Sequence, residues 1–306
     1  MYDGKTMALR LFVAIYLSLF SLMTSANGIK EIYFTVTIHP GDLDRGSLDS
    51  VFHDYAILKL PSTYTETGKP TRLVYMAHGA GGGVSENEWF LNRFELQKLL
   101  LENGYAVFDV NGGRIENMGG ELAVASAYNA WKIIVENYNV YPQIFVGGFS
   151  MGGLTSTNFV LRHSSLVLAH VMYSPVLDLY EQAWKNPWLK STRQAIAEVY
   201  HFSSSTELEY DFKATRLWNP IIQHSLNKNG ESIKIYPVPV KIWHGVGDPV
   251  VTVESSRKFC QEINLGGGSA ELVEIDSDDH GLSCGNPTMN GELLAFLQRI
   301  NQALPR

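Results

Sequence analysis

A serine between two glycines, in the run Gly-Phe-Ser-Met-Gly at 148–152, is the strongest chemical signal in the chain. The run follows an apolar stretch, 144–147, that predicts a buried strand, and it precedes a pattern that predicts a helix over 153–162. A sharp strand-to-helix turn leaves no room for side chains beside the serine, strains its backbone and presents its hydroxyl above the sheet. Glycine-rich turns without chemistry can show the same letters, so the surroundings carry the prediction that Ser150 is a nucleophile.

A second glycine-rich run, His-Gly-Ala-Gly-Gly-Gly at 78–83, follows another predicted buried strand. Backbone N–H groups that hold a tetrahedral oxyanion need a loop that approaches the substrate closely, and glycine permits that approach. No Lys-Ser or Lys-Thr follows the glycines, as a phosphate-binding P-loop requires. We therefore expect one oxyanion donor from the N–H of Ala80 or Gly81 and the other from the N–H of Met151.

An aspartate and a histidine each follow a predicted strand farther along the chain. Asp248 lies on a turn after the apolar run 240–244, and His280 lies on the loop after the run 270–275. A carboxylate can hold a histidine in the tautomer that accepts a proton, and it can stabilise the imidazolium that forms. The sequence thus predicts His280 as general base and Asp248 as its orienting acid, with a helix-capping role as the alternative for Asp248.

Other residues compete for these two roles. The aspartates of the run 276–279 are alternative acids, but residues so close to His280 along the chain rarely reach its ring from the correct side. His78 and His244 are alternative bases. Each adjoins a glycine at a strand end, where packing and hydrogen bonding within the loop explain it better.

Strand and helix patterns alternate along most of the chain, which implies a mostly parallel sheet covered on both faces. Apolar and alternating runs predict strands at 32–38, 55–60, 72–77, 105–110, 144–147, 166–173, 240–244 and 270–275, and helical spacing predicts helices at 88–102, 121–138, 153–162, 255–263 and 291–300. Ligand sites in such sheets lie at the carboxyl ends of the strands, where the four signals fall.

The alternation breaks at about 175–239, an aromatic-rich and helical stretch that we interpret as a cap inserted over the sheet. It holds Trp184, Trp188, Tyr200, Tyr210 and Trp218. These rings, with Trp89 and Phe90, are candidates for an acyl or sugar pocket. Core packing is the alternative for aromatic residues in a chain of this size.

The order oxyanion loop, serine, acid, histidine, with each piece at a strand's carboxyl end, resembles that of the α/β-hydrolases over roughly residues 50–300. The stretch from Tyr55 to Pro70 followed by Leu73 to Gly83 is similar to the entry of polyhydroxybutyrate-depolymerase-like, feruloyl-esterase-like and dipeptidyl-peptidase-like catalytic domains. The resemblance implies an α/β fold of α/β-hydrolase type, with a mostly parallel central sheet, helices on both faces and a helical cap. It implies no metal and no cofactor, and it leaves the substrate open among the esterase and prolyl-oligopeptidase-like branches.

Three functions remain at this point. A carboxylic esterase is expected first, acting on a small soluble ester or on an acyl group linked to a polysaccharide. A serine peptidase acting on short peptides shares the same catalytic groups, and Glu86 and Glu88 could be taken for the paired glutamates that hold a peptide amino terminus, although a solvated helix start explains them too. A peptidase is less favoured than an esterase, because no propeller domain of the kind that large prolyl oligopeptidases place before the hydrolase domain is expected here. The third function is a catalytically silent binding protein on the same fold.

Composition limits the partners. The chain has 306 residues, 45% of them hydrophobic and 18% charged, with a formal net charge of −7. Such a chain can bury a large core, and with no basic surplus it is a poor match for nucleic acid. We expect one α/β domain over 27–306.

The amino terminus predicts a secretory signal peptide over 1–26. Lys5 and Arg10 precede an apolar run, 11–23, which is followed by small residues up to Gly28. The run is shorter than the roughly 17 to 25 residues that a membrane-spanning helix needs, so no stable membrane insertion is expected after cleavage. The mature protein is expected to be secreted or periplasmic. Export would also allow a disulfide between Cys260 and Cys284, with two separate buried thiols as the alternative.

Overall fold

The computed structural model describes residues 21–24, 28–44, 48–84, 95–181, 184, 192–201, 209–223, 236–282 and 286–304. Its framework is a nine-stranded sheet. The strands are β1 (Ser21–Thr24), β2 (Lys30–Ile38), β3 (Phe52–Leu60), β4 (Arg72–Ala77), β5 (Tyr105–Val110), β6 (Ile144–Phe149), β7 (Val167–Tyr173), β8 (Val240–Gly245) and β9 (Ala270–Ile275). The eight strands predicted from the sequence are all present, and three of them, β4, β5 and β9, have the predicted bounds.

The sheet is antiparallel at one side and parallel over the rest. Its strand order is β1-β2-β3-β5-β4-β6-β7-β8-β9. The pairs β1/β2, β2/β3 and β3/β5 are antiparallel, and every pair from β5/β4 to β8/β9 is parallel. Because these paired strands run in the same direction, the carboxyl ends of β4, β6, β8 and β9 lie at the same edge of the sheet. The four chemical signals of the sequence follow those four strands.

Helices connect the strands. They are α1 (Glu95–Glu102), α2 (Glu121–Asn137), α3 (Met151–Arg162), α4 (Thr192–Val199), α5 (Phe212–Thr215), α6 (Pro220–Gln223), α7 (Val253–Leu265) and α8 (Pro287–Gln302). The predicted start of α8 at Gly291 is wrong by one turn. The side chain of Asn286 caps the helix by accepting from the N–H groups of Thr288 and Met289, and Pro287 takes the first helical position, where its missing N–H costs nothing.

The core lies on both faces of the sheet, as alternation along one strand illustrates. Tyr75 of β4 packs in the larger cluster with Phe159 of α3, whereas Val74 packs in the second cluster with residues of α1 and α8. Successive strand residues point to opposite faces, so burial on both sides requires the near-continuous apolar runs seen in the sequence. The result is a mostly parallel α/β sandwich of helix, sheet and helix.

The described parts of 175–239 include three helices, α4, α5 and α6, which place apolar residues in or against the larger core cluster. Tyr200 donates from its hydroxyl to the carbonyl of Met118 at 2.7 Å, and Trp218 lies beneath the guanidinium of Arg162 at 3.5 Å. Tyr200, Tyr210 and Trp218 are buried. These three rings therefore belong to the core, while Trp188 lies outside the described residues.

The amino-terminal segment contributes one strand to the sheet. Strand β1 lies within 1–26, the segment predicted to be a signal peptide, and it pairs with β2. The signal peptide itself stays a prediction. Within the described residues no helix is both long and apolar enough to cross a membrane.

Cys260 is a free thiol whose burial raises its pKa to about 12, and Cys284 lies outside the described residues.

A buried histidine should make the fold sensitive to acid. His170 of β7 is fully buried between the hydroxyls of Ser156 and Tyr236, at 2.9 and 3.1 Å, and burial lowers its pKa from 6.5 to about 3. Between pH 6.5 and pH 3 the unfolded chain binds more protons than the folded chain. The contribution of the neutral, buried His170 to the free energy of unfolding is therefore fully present above pH 6.5 and is lost as the pH falls towards 3. We expect His170 to contribute a loss of about 1.4 kcal/mol per pH unit in the free energy of unfolding.

Denaturant unfolding at several pH values between 7.5 and 4.5 measures this slope. His170→Gln should flatten it, whereas His53→Gln, at an exposed histidine of β3, should leave it unchanged. Equal slopes in the wild type and His170→Gln would contradict the assignment.

Candidate active site

Ser150 occupies the turn between β6 and α3 in a strained conformation. Its φ of 53° and ψ of −120° lie outside the regions that a serine normally adopts. The neighbouring glycines allow this turn, because a Cβ at Gly148 would lie 2.1 Å from the carbonyl oxygen of Gly152, and a Cβ at Gly152 would lie 2.1 Å from the carbonyl oxygen of Ala77. The start of α3 therefore packs directly against the end of β4, with Ser150 held at the junction.

His280 reaches this serine from the loop after β9. Its Nε2 lies 3.0 Å from the Oγ of Ser150, and its ring packs against the ring of Phe149 with centroids 5.0 Å apart. The buried side chain of Leu282, two residues on, anchors the loop in the core. The imidazole is thus held between a packed ring and the serine hydroxyl, in position to accept its proton.

Asp248 completes a chain of hydrogen bonds. Its Oδ2 lies 2.7 Å from Nδ1 of His280, while its Oδ1 accepts from the N–H groups of Val250 and Val251 at 2.9 and 3.0 Å. Helix α7 begins at Val253 with Thr252 as its N-cap residue, so Asp248 caps the turn before the helix rather than the helix itself. The turn fixes the carboxylate, and Oδ2 is left to face His280.

The environment keeps this carboxylate ionised. Burial by itself raises the pKa of Asp248, but the nearby ring of His244 and the hydrogen bonds with His280 and the N–H of Val251 outweigh it and hold the pKa well below its ordinary value. Asp248 is therefore an anion over the whole physiological pH range. A fixed anion behind the imidazole favours the form of His280 that has gained a proton.

The competing acids and bases are placed elsewhere. Asp279 turns back on its own loop, where its Oδ1 accepts from the N–H of Gly281 at 2.9 Å. His78 is buried and binds Asp109 of β5 at 2.9 Å, and this carboxylate raises the pKa of His78 despite the opposing effect of burial. His244 is fully buried, between Ser256 and the carbonyl of Val251. Neither His78 nor His244 contacts Ser150 among the hydrogen bonds of the described residues.

The predicted oxyanion donors belong to the turn after β4 and to the start of α3. Gly82 donates to the carbonyl of Gly79 at 3.1 Å, which closes a turn with Ala80 and Gly81 at its exposed tip. Gly81 has a φ of +81°, a conformation that glycine adopts without strain. Because a Cβ at Gly152 would also lie 2.6 Å from the carbonyl oxygen of His78, the base of this turn contacts the start of α3. Met151 provides the first N–H of that helix, which lacks a partner within the helix.

Three contacts of the site were not foreseen from the sequence: the Phe149 ring on His280, the approach of His244 to Asp248, and the His78–Asp109 pair beneath the oxyanion loop. A His-Gly dipeptide directly after β4 and another at the end of β8 are the only sequence signals for the last two contacts. Trp89, Phe90, Glu86 and Glu88 lie outside the described residues.

Two cavities of about 210 and 280 Å³ lie along α2 and share Trp218 and Glu121 in their linings. Ser150, Asp248 and His280 line neither of them, so we assign them no part in the reaction. Across the described segments, no group of three His, Cys, Asp or Glu side chains is arranged to hold a metal ion.

Comparison with family models finds no match. Among curated proteins, the chain is 25% identical over 224 residues to 2-hydroxy-6-oxo-6-(2'-aminophenyl)hexa-2,4-dienoic acid hydrolase of Metapseudomonas resinovorans. The match covers 66% of this chain and 76% of that protein. The sequence relative is therefore a hydrolase, at an identity that leaves the substrate open.

Solved structures give a closer comparison of the fold. S-formylglutathione hydrolase from Agrobacterium tumefaciens superposes with a TM-score of 0.63 at 13% identity, over 92% of this chain and 98% of that one. Acylaminoacyl peptidase from Pyrococcus horikoshii superposes with a TM-score of 0.64 at 14% identity, over 97% of this chain but only 44% of that one. These similarities, with the sheet order described above, show that the chain has the α/β-hydrolase fold.

Proposed function

We propose that the chain is a serine hydrolase that cleaves carboxylic esters through an acyl-enzyme. The observation that carries the proposal is the hydrogen-bonded chain from Ser150 through His280 to Asp248, with both links at 3.0 Å or less. These are the nucleophile, base and orienting acid that acyl transfer requires, and they lie within the reach that proton transfer needs.

In the proposed reaction, the Oγ of Ser150 attacks the ester carbonyl while its proton passes to Nε2 of His280. Asp248 stabilises the imidazolium, and the N–H groups of Met151 and of Ala80 or Gly81 hold the negative charge on the former carbonyl oxygen. The imidazolium then gives its proton to the departing alcohol. In the second half, His280 takes a proton from water, the hydroxide formed attacks the acyl group, and Ser150 recovers its proton as the acid leaves.

An ester is preferred to a peptide on the basis of the proteins that the chain resembles. Neither the S-formylglutathione hydrolase nor the sequence relative is named as a peptidase, whereas the acylaminoacyl peptidase is. Peptidase activity is the second candidate, favoured by the fold shared with that peptidase. A small soluble ester or a polysaccharide-linked acyl group remains the proposed substrate class, and secretion or a periplasmic location is part of the proposal, on the basis of the leader pattern at 1–26.

Hydrolysis of para-nitrophenyl acetate and butyrate, measured beside aminoacyl and prolyl para-nitroanilides, tests this choice. We expect ester turnover well above anilide turnover, because an anilide needs its poor leaving group protonated by His280 and a site for the peptide. Preferential cleavage of the anilides would support the peptidase. If neither class is hydrolysed and a fluorophosphonate probe does not label the protein, the silent binding protein becomes the better description.

A further inference from the structure

A second histidine lies behind the acid of the site. His244, the penultimate residue of β8, is fully buried, and its Nε2 lies 3.5 Å from Oδ2 of Asp248, the same oxygen that faces His280. The same Nε2 lies 2.8 Å from the carbonyl oxygen of Val251. One carboxylate oxygen is therefore approached by two imidazole rings from two different elements.

The contacts of His244 define its tautomer. A carbonyl oxygen can only accept, so Nε2 must carry the proton that points to Val251. In the neutral ring, Nδ1 then accepts from the hydroxyl of Ser256 on α7, at 2.7 Å. The ring thus bridges the end of β8, the turn that carries Asp248 and the first turns of α7, and it directs an N–H dipole towards both Val251 and Asp248.

We propose that His244 is a positioning residue for Asp248. Its Nε2–H closes the turn over 245–251 through the Val251 carbonyl and adds a third source of positive potential to a carboxylate already bound by two backbone N–H groups. The inference rests on the proposed function, since a positioning role matters only if Asp248 orients His280. This inference gives a chemical role to His244, which the sequence pattern alone explains by packing and hydrogen bonding within its loop.

The surrounding charges belong in the same account. His280 faces Asp248 from the loop after β9, and Glu274 of β9 lies close enough to His244 to interact with it electrostatically. Arg257 of α7 neutralises Glu274 through hydrogen bonds of 2.9 and 2.5 Å, and the exposed Asp278 follows Ser277, whose carbonyl accepts from the N–H of Gly247. These groups stay unchanged in the variants below, so a difference between variants reports on His244.

Two amide substitutions separate the donor from the packing. In His244→Gln the side-chain amide can place an N–H where Nε2 was, whereas in His244→Asn it reaches only the position of Nδ1. We expect His244→Asn to lower kcat by on the order of 100-fold with little change in KM, because the acid is no longer held in place, and His244→Gln to keep most of the activity.

A measurement that does not use activity keeps this proposal separate from the proposed function. The proton between Nδ1 of His280 and Asp248 should give a far-downfield ¹H NMR signal in the wild type, in Ser150→Ala and in His244→Gln, and the signal should be lost or shifted in His244→Asn. An unchanged signal in all four proteins would overturn the positioning role, even if the ester assays succeed. Loss of ester hydrolysis with the signal behaving as expected would instead overturn the proposed function alone.

A pair of serine variants covers the case in which His244→Asn does not fold. Ser256→Ala removes the hydroxyl that binds Nδ1 of His244 and helps to hold the ring, and it should lower kcat and shift the downfield signal in the same direction as His244→Asn, to a smaller extent. Ser255→Ala is the matched control, because Ser255 is buried on the same helix but donates to the carbonyl of Thr252 instead. Equal behaviour of the two serine variants would count against the proposal.

Discussion

Ser150→Ala is expected to lower kcat for para-nitrophenyl acetate by about 10⁶-fold relative to the wild type. The substitution removes the only atom that forms the acyl-enzyme, so His280 has no hydroxyl from which to take a proton. A residual acceleration of roughly 10³- to 10⁴-fold over water should remain, because the N–H groups of the oxyanion loop and of Met151 are untouched. Steady-state rates together with fluorophosphonate labelling, which should disappear, provide the measurement.

The fold of this variant should be intact, which makes the rate effect interpretable. Alanine adds no atom to the crowded turn between β6 and α3, and its backbone bears the same strain as that of serine at a φ of 53°. Ser165→Ala, at an exposed serine after α3, is the matched control and should retain wild-type rates. Wild-type activity in Ser150→Ala would show that another residue is the nucleophile.

Asp248→Asn is expected to lower kcat by about 10⁴-fold, although it changes almost nothing in size. The turn dictates how the new amide is oriented: the N–H groups of Val250 and Val251 require an acceptor at Oδ1, so the amide oxygen must stay there and the NH₂ group must face His280. His280 would then accept at Nδ1 and carry its proton on Nε2. In that tautomer it cannot accept the proton of Ser150.

The neighbouring aspartates provide the control for this prediction. Asp276→Asn, at an exposed residue of the same loop as His280, should leave kcat within a few-fold of the wild type, since surface substitutions away from the reacting groups have small effects. Circular dichroism and thermal unfolding of both variants would separate a loss of chemistry from a loss of structure. Comparable losses in Asp248→Asn and Asp276→Asn would mean that the acid has been assigned to the wrong residue.

Much of the architecture can be read from local patterns in the chain. Buried strands of a parallel sheet must be largely apolar on both faces, so β4 and β5 are near-continuous apolar runs whose bounds can be predicted without a structure. The turn at Ser150 can also be predicted from the sequence, because it has no space for a Cβ on either side and the chain has glycines there. The succession of serine, acid and histidine at strand ends follows from the same patterns.

Helix ends were less predictable. Apolar spacing places the start of α8 at Gly291, yet the Asn286 cap and Pro287 start it one turn earlier, so that the buried Met289 already belongs to the helix. Residues 21–24 are a further case, since an apolar run before a predicted cleavage site gives no indication that it pairs with β2.

The sequence by itself determined which residue types end each strand, and with them the candidates Ser150, Asp248 and His280. Only the tertiary structure decided which aspartate faces the histidine, because the choice between Asp248 and the aspartates of 276–279 depends on side-chain direction across separate loops. The hydrogen bonds that join the site span 32 and 130 residues along the chain, and no local pattern encodes a contact at that separation. The same reason applies to His244. The sequence places it at the end of a predicted strand, but its contact with Asp248 forms only once β8, the turn after β8 and α7 have packed together.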